Sequence, residues 1–176
     1  MTTLDLKQIQ ISSAIDLFSK GEINQALDAV QDLIKDYPNE PVLFNIRGAC
    51  YADLGQLDVA VTNYKEAISI QPDYAKAHFN LAGSLHDLGQ LKAAVKSYKK
   101  TLEIEPNYAE AFNNLGNVFQ ELEQGDSAVQ SYKRALEIKP DYVAAQYSLG
   151  NTFMELGQLD EALKSYEAAL KLKPDF

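Results

Sequence analysis

Five of the six prolines lie 34 residues apart, and this period constrains the fold more than any other feature of the sequence. The prolines of the series are Pro38, Pro72, Pro106, Pro140 and Pro174, whereas Pro41 lies outside it. A fixed period of about 20–50 residues is typical of repeat proteins, in which each unit buries its apolar face against its neighbours. The period therefore predicts a stack of similar units.

The repeats account for the whole chain. Six leading residues and five units of 34 residues make up the 176 residues, so we expect one repeat domain over 1–176 and no separate catalytic domain. Positions are counted from the first residue of each repeat, which puts the periodic proline at position 32. The predicted repeats one to five are 7–40, 41–74, 75–108, 109–142 and 143–176.

The composition limits the class of partner and the cellular location. A net charge of −9 argues against nucleic acid, whose phosphates are bound mainly by Lys and Arg, and against anionic membranes. The single cysteine, Cys50, permits no intrachain disulfide, and the N-terminus lacks the basic and apolar regions of a signal peptide. No apolar run approaches the ~20 residues of a membrane span. We therefore expect a cytoplasmic protein, with a bacterial periplasm as the alternative location, and a basic or neutral protein partner.

Each repeat has the pattern of two amphipathic helices. In repeat five, apolar residues recur every three or four positions over 149–156, and Gly157 then ends the helix. A second apolar stripe covers 159–172 and is followed by Pro174. The pattern predicts an all-α chain of about ten helices. The predicted N-cap residues of three first helices are Asp73, Asn107 and Asp141.

Small and aromatic residues occupy fixed positions in the repeat. Position 20 is alanine in all five repeats, and position 8 is alanine or glycine. Helices approach closely only where side chains are small, so we predict that the tyrosine at position 24 packs beside these residues. The tyrosines are Tyr64, Tyr98, Tyr132 and Tyr166.

Small residues at positions 8 and 20, an aromatic residue at 24 and proline at 32 resemble the tetratricopeptide repeat (TPR) family over residues 7–176. The resemblance implies a right-handed α-solenoid of five helix-turn-helix repeats. Repeat one departs from the pattern, as terminal repeats commonly do. Repeat four has Glu123 where glycine is expected and Gly125 two residues later, so we predict a shifted or looser turn there.

The resemblance also places positions 2, 5, 6, 9, 12 and 13 of the first helices on a concave inner surface. Asparagines concentrate there in repeats three to five, and an amide side chain can pair with both N–H and C=O of an extended peptide. Segments 112–117 and 147–151 are similar to the repeats of O-GlcNAc transferases, whose inner asparagines grip peptide backbones. Alternatively, these asparagines cap, solvate or join neighbouring helices. The candidate peptide-binding residues are Asn45, Lys76, Phe79, Asn80, Asn113, Asn114, Asn117, Tyr147, Asn151 and Met154.

The charges at these positions argue against one known use of the family, a clamp for a C-terminal carboxylate. Lys76 is the only base among them, whereas position 13 is acidic in four repeats. This acidic stripe either attracts a basic peptide or is a solvated helix end. Phe18, at position 12 of repeat one, adds a pocket for a partner side chain or is covered by the N-terminal segment with Leu4 and Leu6.

The sequence indicates no enzyme. His78 and His86 lie eight residues apart without a cluster of further ligands, and Cys50 is expected to be a buried apolar residue. No glycine-rich phosphate loop is present. We therefore expect no catalytic residue, no metal and no cofactor.

The chain ends at Phe176, flush with a repeat boundary and without a polar helix beyond Leu170 and Leu172. We expect either a segment of a longer protein or an end that another molecule covers, for example through self-association of the uncapped last repeat. The predicted function is a protein-interaction scaffold that binds an extended peptide or partner segment in the concave groove, centred on repeats three to five. The alternatives are a substrate-recruiting arm of a larger enzyme, such as a glycosyltransferase or sulfotransferase, and a structural module that stacks through its ends.

Overall fold

The computed structural model describes residues 3–174. Ten α-helices lie in this range, two in each repeat, which confirms the prediction of an all-α chain of helix-turn-helix repeats. The helices are α1 Thr3–Ser19, α2 Ile23–Asp36, α3 Pro41–Asp53, α4 Leu57–Ile70, α5 Ala75–Asp87, α6 Leu91–Ile104, α7 Ala109–Glu121, α8 Gly125–Ile138, α9 Val143–Glu155 and α10 Leu159–Leu172. Pro41 is the first residue of α3, where its missing N–H costs no intrahelical hydrogen bond.

The chain forms two compact units. The first unit, Met1–Leu88, holds α1 to α5, and the second unit, Gly89–Phe176, holds α6 to α10. A single domain over 1–176 stays a prediction, and Phe176 itself lies outside the described residues. No helix within residues 3–174 is both long enough and apolar enough to cross a lipid bilayer.

Glycine ends the first helix in four repeats. These glycines have φ angles between 69° and 77°, in the left-handed region that other residues rarely adopt. In repeat two, the Gly55 N–H donates to the Ala52 carbonyl at 2.9 Å, and the Gln56 N–H donates to the Tyr51 carbonyl at 2.8 Å. This pair of hydrogen bonds is a Schellman motif, which closes the helix. The glycines are Gly21, Gly55, Gly89 and Gly157.

The predicted shift of the turn in repeat four is wrong. Helix α7 ends at Glu121 and α8 begins at Gly125, the same spacing as in repeat two. Glu123 itself adopts a φ of 57°, and its N–H donates to the Gln120 carbonyl at 2.9 Å. The Gln124 N–H completes the motif on the Phe119 carbonyl at 2.8 Å. The two hydrogen bonds hold a non-glycine residue in a strained conformation that costs about 1–2 kcal/mol.

The predicted N-caps are displaced by one residue. The N-cap of α5, α7 and α9 is the tyrosine that follows each predicted Asp or Asn, and it forms no side-chain cap hydrogen bond. These helices therefore depend on packing for much of their stability, as short helices generally do. The N-cap residues are Tyr74, Tyr108 and Tyr142.

The tyrosine at position 24 packs directly on the glycine at position 8 of its own repeat. A Cβ atom at Gly116 would lie 2.6 Å from Cε1 of Tyr132, a distance that Cβ atoms do not tolerate. The same 2.6 Å separates Gly48 from Tyr64, and Gly150 from Tyr166. This confirms the predicted packing of small and aromatic positions in repeats two, four and five.

We expect Glu123→Gly to raise the free energy of unfolding by about 1 kcal/mol, because glycine relieves the left-handed strain at this turn. Urea unfolding followed by circular dichroism measures the change. The matched control is Glu167→Gly, in the exposed interior of α10, which should lower the stability by about 1 kcal/mol. A loss of stability in Glu123→Gly would contradict the assignment of strain.

We expect Gly116→Ala to lower the free energy of unfolding by about 1–3 kcal/mol, because the new methyl group overlaps the ring of Tyr132. At an ordinary helix position the same change would be stabilising. A double-mutant cycle with Tyr132→Leu tests the cause, since a smaller side chain removes the overlap. Additive effects in the cycle would show that the ring is not responsible.

Candidate functional site

A groove of about 420 Å³ lies on the first unit, and it is built from the inner positions of α1, α3 and α5. All six inner positions of α3 take part, from Val42 to Asp53. We call it the first-unit groove. Its lining residues are Ile15, Phe18, Val42, Asn45, Ile46, Ala49, Ala52, Asp53, Tyr64, Tyr74, Lys76 and Asn80.

Two asparagines form part of the groove wall and join adjacent repeats. Asn80 Nδ2 donates to Asn45 Oδ1 at 2.9 Å, which links α5 to α3. Asn45 is 7% exposed, so its amide is held inside the wall, whereas Asn80 is half-buried. Lys76 also lines the groove, and its ammonium lies 5.2 Å from the centre of the Phe79 ring. The structure thus brings Asn45, Lys76 and Asn80 together, with Phe79 beside them.

A smaller depression of about 310 Å³ adjoins the groove, since Ile15 and Val42 line both. It extends along α1 to Gln8 and is bordered by an ion pair between Lys7 and Glu40. The inner face of the first unit is therefore a continuous trough across α1 and α3.

The asparagines at position 9 of the second unit accept hydrogen bonds from the tyrosines at position 24 of their own repeats. Tyr132 Oη donates to Asn117 Oδ1 at 2.8 Å, and Tyr166 Oη donates to Asn151 Oδ1 at 2.8 Å. Burial is the main cause that raises the pKa of Tyr132, so its hydroxyl stays protonated and acts as a hydrogen-bond donor. These hydrogen bonds are of the kind expected from the alternative interpretation, in which asparagines join neighbouring helices.

Asn113 differs from its counterpart Asn45, although both occupy position 5. Asn113 is 6% exposed, and its Nδ2 donates to Asn114 Oδ1 at 3.1 Å. Its own Oδ1 is buried and accepts no hydrogen bond within the part of the chain that the structure describes. A buried carbonyl without a donor is unfavourable, by roughly 1–3 kcal/mol.

Two apolar side chains are exposed on the inner face of α9. Tyr147 is 43% exposed and its ring centre lies 5.8 Å from that of Tyr166, whereas Met154 is 50% exposed. They are seven residues apart, about two helical turns, and so share one face. In the second unit the predicted residues therefore comprise half-buried or buried amides and two accessible apolar groups.

Most of the apolar floor of the first-unit groove was not among the predicted binding residues, although one of the two alternatives for Phe18 was a pocket for a partner side chain. The floor consists of Ile15, Phe18, Val42 and Ile46, with Ala49 and Ala52 between them. Phe18 lines the groove, while the side chain of Leu4 lies outside the described part of the chain. The sequence signal that could have found the groove is the coincidence of apolar and small residues at positions 9 and 12 of repeats one and two.

Cys50 is buried away from this surface. It is 0% exposed, and burial is the first cause that raises the pKa of its thiol, to about 11. The thiol is therefore protonated at neutral pH and unsuited to nucleophilic attack. Among residues 3–174 the structure contains no group of three His, Cys, Asp or Glu side chains arranged to hold a metal ion.

We expect Asn113→Leu and Asn45→Leu to change stability in opposite directions. Asn113→Leu removes a buried carbonyl that lacks a donor and should raise the free energy of unfolding by about 1 kcal/mol. Asn45→Leu deprives Asn80 of its acceptor and should lower it by about 1 kcal/mol. Urea unfolding measures both, and changes of the same sign would contradict the difference between the two sites.

Family models match most of the chain. A model described as "TPR repeat" matches residues 48–89, 83–123 and 121–157, and a model described as "Tetratricopeptide repeat" matches 143–176. The crystal structure of MamA is similar, with 25% identity, coverage of 92% of this chain and 94% of MamA, and a TM-score of 0.84.

Two further proteins show how far the similarity extends. YrrB, described as a TPR protein with an unusual peptide-binding site, is 21% identical, and the alignment covers 94% of this chain and 86% of YrrB with a TM-score of 0.78. At this identity the likeness concerns the fold alone. The peroxisomal targeting signal receptor of Saccharomyces cerevisiae is 25% identical over 84 residues, which are 48% of this chain and 14% of the receptor. This chain thus matches a small part of that relative's length. Because the family models cover residues 48–176 without a break, the chain belongs to the tetratricopeptide repeat family.

Proposed function

We propose that this chain is a scaffold that binds an extended segment of a partner protein along the inner positions of its first helices. The observation that carries the proposal is the first-unit groove, to which three successive first helices contribute. An extended segment that crosses these helices meets an apolar floor and the wall formed by Asn45 and Asn80. Apolar clefts with a few polar groups are the usual form of a binding site.

The similar proteins support this proposal. One is named as a receptor for a targeting signal, and another is described as having a peptide-binding site. The protonated, buried Cys50 leaves no reactive thiol on the inner face. In this proposal the chain acts by binding, and recruitment of substrates to a larger enzyme would use the same surface.

In the second unit, the residues that contact the partner are Asn114, Tyr147 and Met154. Both apolar side chains are accessible, and Asn114 is half-buried. The side-chain carbonyl oxygens of Asn117 and Asn151 each already accept a hydrogen bond from a tyrosine hydroxyl. These two residues therefore offer the partner mainly the NH₂ groups of their side chains. Asn113 supports Asn114 through its hydrogen bond.

Self-association is the second candidate, because α10 exposes several leucines. Leu159, Leu163 and Leu170 are 61%, 58% and 48% exposed. A second copy of the chain that covered them would bury apolar surface, which favours association. Sedimentation velocity over a range of concentrations distinguishes a monomeric scaffold from a self-assembling module.

Selection from a random-peptide phage library tests the scaffold proposal. We expect enriched peptides to bind the whole chain in a fluorescence anisotropy assay. At least one inner-surface variant should weaken their binding about tenfold or more. The variants are Ala49→Leu, which fills the first-unit groove, and Tyr147→Ala with Met154→Ala, which removes the apolar groups of α9.

The matched control is Ala93→Leu, an exposed position near the start of α6 that is not an inner position. It should leave the affinity unchanged. The melting temperature of each variant shows whether it is folded. Peptides that bind all variants equally, or a library that yields no binder, would overturn the proposal.

A further inference from the structure

We infer that the first-unit groove receives a bulky apolar side chain of the partner segment, and that it selects segments in which Lys or Arg follows this side chain. The inference rests on the proposed function and specifies the chemistry of the partner. It places the residues that determine specificity in repeats one to three. The asparagine pattern of the sequence instead predicted that peptide binding is centred on repeats three to five.

The shape of the groove favours an apolar side chain. Ile15, Phe18, Val42 and Ile46 surround two alanines, Ala49 and Ala52, whose short side chains leave the space of about 420 Å³. Ile15 is 41% exposed without a partner segment and would lose contact with water when the groove is filled. Removal of apolar surface from water on both molecules supplies the driving force.

The asparagine pair in the groove wall offers a polar contact to the backbone of a bound segment. Asn80 is half-buried, and its Nδ2 already donates to Asn45. The carbonyl oxygen of Asn80 is then positioned beside the groove as an acceptor for a backbone N–H of the segment. The two asparagines thus orient the segment, and the floor receives its side chain.

The charge around the groove favours a basic residue at one end. Residues 1–88 contain 12 acidic and six basic side chains, so −6 of the net charge of −9 lies in this unit. Asp53 lines the groove where α3 ends. Burial, and after it the charge of Asp53, raises the pKa of the Tyr64 hydroxyl, which also lines the groove.

The direction of the helices reinforces this charge. Helices α1, α3 and α5 end at Ser19, Asp53 and Asp87, and the carboxyl end of a helix carries a partial negative charge. The basic group of the groove, Lys76, lies at the opposite end, near the start of α5, and is stacked on Phe79. A segment is therefore oriented with its cation beside Asp53.

The test uses nuclear magnetic resonance titration of the whole chain with capped synthetic peptides. The probe is acetyl-Gly-Ser-Gly-Leu-Lys-Lys-Gly-Ser-Gly-amide, and two matched peptides carry Ser in place of Leu, or Glu-Glu in place of Lys-Lys. We expect the probe to bind about tenfold or more tightly than either. The side-chain amides of Asn45 and Asn80 should shift, as should the backbone amides of Ala49 and Ala52. The preference for Lys over Glu should decrease between about 50 and 300 mM NaCl.

Asp53→Asn should abolish most of the preference for Lys over Glu. Its matched control is Asp58→Asn, which removes the same charge from the exposed start of α4 and should preserve the preference. Equal affinity for all three peptides, or equal effects of the two variants, would overturn the inference. If selected peptides bind but shift only residues 110–155, the inference fails while the scaffold function stands. If no selected peptide binds anywhere, both fail.

Discussion

The contact between a tyrosine ring and a glycine backbone sets the geometry on which the other features depend. In repeats two, four and five, the ring at position 24 comes so close to position 8 that a methyl group does not fit between them. The contact fixes the rotation of the first helix about its own axis. In repeat two the contact orients α3, and all six inner positions of this helix line the first-unit groove.

The same tyrosines connect the interior to the inner surface. The hydroxyl groups of Tyr132 and Tyr166 reach past the glycines to Asn117 and Asn151. Amides at position 5 meet different conditions: Asn45 has a donor from the next repeat, whereas the buried oxygen of Asn113 has none within the described part of the chain. One residue type therefore supports packing in some repeats and carries an unmet hydrogen-bonding group in another.

The helices and their packing could be predicted because the signals for them are local. Glycine and proline mark helix ends, and the small and aromatic columns identify the glycine–tyrosine contact. The turn at Glu123 could not be predicted from residue preference, since two backbone hydrogen bonds impose a conformation that glutamate disfavours. The asparagine partners were also hidden, because they lie 15 or 35 residues away in the chain and compete with solvent.

The groove escaped prediction for a different reason. It is a space left between Ile15 of one repeat and Ala49 of the next, and no single repeat contains it. Pattern analysis compares equivalent positions, so it draws attention to residues that recur. A cavity instead depends on which residues at different repeat positions face each other where two repeats pack together.

The hydrogen bonds of the inner asparagines have a consequence for how this family member can diversify. In the first unit, Ala49 and Ala52 shape the groove with methyl groups alone, so exchange there alters the shape of the groove and leaves hydrogen bonding intact. In the second unit, replacement of Asn151 also removes an acceptor of the half-buried Tyr166, and replacement of Asn117 leaves Tyr132 with Gln120 as its acceptor, at 3.2 Å. Substitution at the two alanines of the first surface is thus independent of hydrogen bonding, whereas substitution at the two asparagines of the second changes the hydrogen bonds of the tyrosines behind it.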